Sequence, residues 1–254
     1  MIIDSFDPNS EPLLDPASLY GEGESLGEVC LVPFSYVACK AALDSYPHEI
    51  VKELSGTNGI IPIYRLTVGE KKVLLYMSPV GSASAATTLI EAGWQCQCKK
   101  FVFFGSCGML DDVLCADKVI VPNEAYRDEG ISYHYAPARD YIEVKNALLV
   151  GQYLESKGIP FVAGRCWTCD AIYMETVEKA KRRRNDGCIA VEMEVAGLQA
   201  VADYYGFDLY CMLFGGDVLK ENSWDKNIFN AEGEKGAQTN LMAIALGLAC
   251  SLAK

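Results

Sequence analysis

The chain has 254 residues, half of them apolar, and carries a net charge of −12 from 22 basic and 34 acidic side chains. That apolar share at that length supplies a full core for one large α/β domain and excludes global disorder. The acidic balance disfavours nucleic acid and anionic membrane as general partners.

In chain order, residues 1–27 read as irregular, polar and proline-rich, a segment lying over a surface or a subunit interface. Residues 29–32 form a short apolar run expected to be a buried strand, and 35–45 a helix with Ser35 as its N-cap. Residues 60–66 and 73–76 read as strands joined through a turn at Gly69. Residues 84–92 form a helix closed by Gly93. Residues 101–104 are apolar on both faces, as a central strand should be. Residues 118–121 form a strand stopped by Pro122, and 146–157 a helix ended by Gly158 and Pro160. Residues 175–184 predict a charged helix, 188–191 a strand, 194–205 an apolar helix, 209–214 a strand and 239–252 a final helix. This alternation predicts a single α/β layer sandwich over residues 1–254, with ligands gathered at the carboxyl ends of its strands.

The eleven cysteines are an odd number in a long chain, and the start MIIDSFDPNSE lacks the basic, apolar pattern of a signal peptide. Both predict a reduced, cytoplasmic protein rather than a disulfide framework. No apolar run reaches transmembrane length. Cys96 and Cys98 have no second pair at metal-ligand spacing, and the only histidines are His48 and His134, so no metal site is expected.

Several runs at strand ends could carry chemistry. Residues 78–84 (SPVGSAS) form a Gly/Ser loop leading into a helix N-terminus, which favours anions. The small residues of GSCG (105–108) would let backbone N–H groups approach an oxyanion or a sugar. GGD (215–217) displays one acid beyond two glycines, although turn aspartates are common. In VEME (191–194), strand alternation puts Glu192 and Glu194 on one face. Two like charges there are costly to bury. A polyhydroxylated ligand such as a ribose would satisfy them, and solvated carboxylates at a helix N-terminus are the plain alternative. The KAKRRR run (179–184) reads as the solvated face of a helix. Cys107 has no histidine or cation placed near it and reads as a small packing residue.

Taken together, Gly81-x-x-Ser84, GSCG, YRDEGISYHYAP (126–137), TCDAIY (168–173), VEMEVAGL (191–198) and GGD resemble the nucleoside phosphorylase family, which includes purine nucleoside and uridine phosphorylases and methylthioadenosine nucleosidases. The resemblance spans nearly the whole chain. It implies a three-layer α/β/α fold around a mixed, barrel-like sheet, a homo-oligomer built from dimers, a nucleoside as ligand, and no cofactor beyond phosphate as co-substrate. It implies that Met193 lies under the ribose, that Glu194 accepts its hydroxyls and that Glu192 sits beside them. It places Trp167, Ile172 and His134 at the base, Ser106 at the phosphate or sugar and Gly81 at the phosphate, with Arg127 a candidate phosphate-binding cation outside the family pattern. Asp217 falls where purine-cleaving members carry the acid that protonates the base. A carboxylic acid raised in pKa by burial suits that task.

The chain also departs from the family. Residues 33–37 (PFSYV) occupy the loop where phosphorylases carry a glycine and an arginine, with neither present, and Phe103 stands where a second arginine is expected. A third arginine, matched near Gly59, is also missing. Nucleosidases activate water with a glutamate where this chain has Ser35 and Tyr36. Arg65 and Arg127 remain as replacement cations. The expected activity is phosphorolysis of a purine-like nucleoside, with hydrolysis by water as the alternative and a non-catalytic nucleoside-binding protein as a third reading.

Overall fold

β1 (Val29–Pro33) is buried at every position, because it has a parallel neighbour on each side: β4 (Lys71–Leu75) and β5 (Lys100–Met109). The protein is seen here as a computed structural model that describes residues 1–56, 59–226 and 231–254. Beyond β4 the sheet continues antiparallel through β3 (Gly59–Val68) to β2 (His48–Gly56) at the edge. On the other side of β5 it closes on itself. β5 pairs β10 (Asp208–Leu219) in parallel, β10 pairs β6 (Val119–Asp128), β6 pairs β8 (Phe161–Cys169), β8 pairs β9 (Cys188–Glu192), and β9 returns to β5. β7 (Tyr141–Glu143) adds to β6, and β11 (Trp224–Asp225) forms a hairpin with β10. Medium and small side chains fill the ring, among them Cys107, Met109, Ile120, Cys166, Ala190, Cys211 and Leu213, as a narrow barrel requires.

Helices cover both faces. They are α1 (Pro16–Tyr20), α2 (Tyr36–Ser45), α3 (Ser82–Gln95), the short α4 (Asp112–Cys115) and α5 (Ser132–Tyr135), α6 (Ala147–Ser156), α7 (Val177–Asn185), α8 (Val195–Tyr205) and α9 (Ala231–Leu252). Alternation along β1 sorts the layers. Val29 and Leu31 pack with α2, α6 and α9, while Cys30 and Val32 pack with α3 and α8. The architecture is therefore the expected α/β/α arrangement around a mixed, barrel-like sheet. No described helix is long and apolar enough to cross a membrane.

Local chemistry explains most boundaries. Ser35 Oγ accepts from Ala38 N at 3.1 Å and starts α2 as anticipated. Gly206 ends α8 in the left-handed region, φ 68°. Residues 1–27 run across α3, with Tyr20 donating to Glu91 and Trp94 donating to the Gly21 carbonyl.

Several boundaries differ from expectation, among them the start of α9 at Ala231 rather than 239. α3 runs through Gly93 because that glycine is a packing contact, where a Cβ would collide with the Phe207 ring. β6 runs through Pro122 because the register shifts there, and a bulge tolerates the missing N–H. GSCG and GGD are continuations of β5 and β10 rather than turns, since each strand keeps a partner to its end. Strands β2, β7, β8 and β11 were not anticipated.

Candidate active site

Strand β9 ends at Glu192, and the chain bends through Met193 and Glu194 before α8 begins. The alternation that would align the two carboxylates stops there, and they separate. Glu192 turns inward. One of its oxygens accepts from Thr168 Oγ1 and, at 3.5 Å, from Cys166 Sγ. The other accepts from Glu194 N at 2.6 Å and Val195 N at 2.7 Å. A carboxylate has about four acceptor sites, and all are filled by the protein. Glu192 is thus a buried clamp on the first turn of α8, and the expectation that it binds ribose is corrected.

Glu194 goes the other way. Its Oε1 accepts from Gly81 N at 2.6 Å, and Ser82 Oγ donates to the Met193 carbonyl at 2.7 Å. Burial, then the charge of Glu192, push the Glu194 carboxyl up to about 8. Gly81 can turn the chain here because it has no Cβ; its φ is 95°. The N–H expected to meet phosphate is instead spent on Glu194, so Gly81 orients that carboxyl.

The ends of three strands meet at Gly108. It pairs Val191 of β9 on one side and Asp217 of β10 on the other. A Cβ at Gly108 would lie 2.6 Å from Leu219 Cδ1 and 3.0 Å from Val191 Cγ1, so only glycine allows the three to close up. Ser106, two residues earlier, is exposed beside Gly216. Asp217 is half-buried, and burial raises its carboxyl while a hydrogen bond from Trp224 lowers it. Glu175 stands nearby. Burial, then the charge of Asp217, raise it to about 7, with Lys179 acting in the opposite direction.

The segment from Cys169 to Glu175 links the two acids. Asp170 adds to the negative field on Glu194 and accepts from Gly130 N at 3.1 Å, while Glu175 feels Asp217. Ile131, next to Gly130, packs against Gly197 of α8 together with Ser82. His134 on α5 and Ile172 in the turn after β8 are both exposed.

Other candidates have structural roles. Trp167 is fully buried among Leu110, Cys169, Ala180, Cys188 and Val191, and its indole donates to Asp128 at 3.1 Å. It has no face open to a base, which corrects that expectation. Arg127 is 3% exposed. Its guanidinium donates to Ser132 Oγ and the Pro137 carbonyl, each at 2.7 Å, and to the Ala136 carbonyl at 3.3 Å, and it lies on the Tyr133 ring. Arg127 therefore holds residues 132–137 in place, with its guanidinium engaged by the protein rather than free for an anion. Arg65 is paired with Glu49. The basic helix α7 is less solvated than expected: Arg183 is buried against the Tyr126 ring, and Arg184 donates to the Leu110 and Leu219 carbonyls. Cys107 is buried and its thiol is pushed up by burial, in keeping with a packing role.

Trp224 and Glu175 escaped the sequence reading. The polar run Lys220-Glu221-Asn222-Ser223 between Leu219 and Trp224 is a hairpin signal, and following it would have folded Trp224 back toward Asp217. Glu175 looked like a first-turn helix acid. In fact Thr176 is the N-cap of α7, which leaves Glu175 outside the helix.

A family model described as the phosphorylase superfamily matches residues 32–248. DeoD-type purine nucleoside phosphorylases are among the relatives. The Colwellia psychrerythraea protein is 28% identical over 210 residues, covering 78% of this chain and 85% of its own. The Alkaliphilus metalliredigens protein is 26% identical over 202 residues, covering 76% and 84%. Among solved structures, the Campylobacter jejuni 5'-methylthioadenosine/S-adenosyl homocysteine nucleosidase superposes with a TM-score of 0.69 at 15% identity, covering 87% of this chain and 98% of that one. At that identity the likeness is one of fold.

Proposed function

The chain belongs to the phosphorylase superfamily, and from that premise we propose that it cleaves the N-glycosidic bond of a purine-type nucleoside. Asp217 is the general acid for the departing base, and Glu194 with Met193 receives the ribose. The observation that carries this reading is the position of Gly108, between the VEME end of β9 and the GGD end of β10. Gly108 pairs Val191 on one side and Asp217 on the other, which supports a single site formed where the two motifs converge.

The chemistry follows from the charges. Breaking the bond leaves cationic character on the sugar and negative charge on the base. A carboxyl whose pKa is raised by burial holds a proton to give to the base. Glu194, with Oε1 anchored by Gly81 N, offers its other oxygen to a sugar hydroxyl.

Water is favoured over phosphate as the acceptor. A phosphate dianion needs cations or free N–H groups, and charge-assisted bonds to it are worth on the order of 1.5–3 kcal/mol each. Arg127 is committed to residues 132–137, Arg65 to Glu49 and Gly81 N to Glu194. A dissociative bond cleavage asks little of its nucleophile, so a neutral water can serve without a dedicated base. Phosphorolysis is the second reading, supported by relatives that are purine nucleoside phosphorylases.

Chromatography of adenosine, inosine and methylthioadenosine incubations, with and without phosphate, tests both. The expected result is free base and free sugar at a rate independent of phosphate. Sugar phosphate formed only when phosphate is added would assign phosphorolysis. No cleavage under either condition would defeat the enzyme reading and leave a nucleoside-binding protein.

A further inference from the structure

The indole that serves the site is Trp224. It pairs with Leu219 across the β10–β11 hairpin. Leu219 and Asp217 lie two residues apart on one strand and share a face, so Trp224 is the diagonal neighbour of Asp217. Its Nε1–H donates to Asp217 Oδ2. The ring is 63% exposed, in contrast to the fully buried Trp167. The Lys226 ammonium lies 5.9 Å from its centroid, the distance of a cation resting over an open aromatic surface.

We propose that Trp224 is the positioning and specificity residue of the site: its N–H fixes which oxygen of Asp217 carries the proton, and its ring is the wall against which a planar heteroaromatic leaving group rests. This rests on the reading of Asp217 as general acid. An indole nitrogen only donates. A bond into Oδ2 therefore leaves Oδ1 to hold the proton, and Oδ1 is the oxygen that faces the Gly108 position, 3.5 Å from where a Cβ there would lie. In the reaction the Oδ1 proton passes to a ring nitrogen of the base as the C–N bond breaks. The bonding pair leaves with the base, water adds to the sugar carbon and loses its proton to solvent, and the Asp217 carboxylate that results keeps the Trp224 hydrogen bond. The ionisable groups facing Asp217 are Glu175 before α7, which Lys179 partly offsets, and Cys107 on β5.

The test compares wild type with W224F, W224L and D217N over a range of pH, using a purine nucleoside as substrate. W224F keeps a ring and loses the donor. With one hydrogen bond to the carboxylate gone, Asp217 holds its proton longer, so the alkaline limb of the kcat profile moves to higher pH while KM changes little. W224L shows the same limb and a KM raised roughly two- to tenfold, the worth of an aromatic contact. A W224F profile superimposable on wild type would overturn the proton-placing role, and an unchanged KM in W224L would overturn the wall. D217N separates this from the underlying reading, because undiminished turnover in D217N removes the general acid whatever the Trp224 variants do. If wild type cleaves nothing, nucleoside quenching of tryptophan fluorescence that persists in W224L rules out the wall, and its loss there supports it. Because Trp224 is largely exposed, melting temperatures of both variants near wild type are expected and confirm that each is folded.

Discussion

Burial and then the charge of Glu192 push the Glu194 carboxyl up to about 8, outweighing the hydrogen bond from Gly81. The sign of the consequence follows from linkage. The folded value lies above the ordinary 4.5, so between those two pH values the folded protein binds more protons than the unfolded chain. This group's contribution to stability is fully present below about 4.5 and is lost as pH rises through about 8. Glu194→Gln cannot ionise and keeps an oxygen to accept from Gly81 N. We expect the melting temperature of the variant, relative to wild type, to rise between pH 5 and about pH 8 in ligand-free protein and to level off above that. Two curves that stay parallel would show that Glu194 is not the buried, proton-holding carboxyl described here. Glu192 offers the contrast within the same motif. Four donors fill its oxygens, and it anchors the first turn of α8.

The segment from β6 to α5 is held by one buried network. Ser132 Oγ accepts from Arg127 and donates to Glu129, while Arg127 also ties down the Ala136 and Pro137 carbonyls. Removing one partner from a buried charged network costs on the order of 3–5 kcal/mol. Arg127→Met should therefore lower the urea midpoint substantially. Unchanged stability with a weakened dependence on phosphate would instead restore Arg127 as an anion ligand. This scale also shows what periodicity can and cannot reveal. β1, α2 and α8 were legible because a short apolar run, an N-cap serine and a longer apolar run closed by glycine are local signals. GSCG and GGD were misread as turns because small residues usually end strands, whereas here the partners that keep them extended lie across the ring, more than a hundred residues away in sequence. Arg127 and Trp167 sit at motif positions that suggest ligand contact, yet burial, which one sequence does not display, turns both into supports.

At the scale of the whole molecule, ring closure brings distant motifs into register. VEME and GGD are adjacent only because β9 and β10 flank the same residue of β5, and the segment from Cys169 to Glu175 spans the distance between them. The three-layer sandwich around a barrel-like sheet was legible from alternation combined with the family resemblance. The hairpin that carries Trp224 was not, because a two-residue strand leaves almost no periodicity to read. The central claim is that Glu194 and Asp217 serve one ligand at once. A crystal structure with a purine nucleoside bound tests it directly. The account predicts Glu194 within hydrogen-bonding distance of the ribose hydroxyls and Asp217 Oδ1 within hydrogen-bonding distance of a base nitrogen in the same complex. A nucleoside that meets one carboxyl while the other opens onto a different face would contradict it.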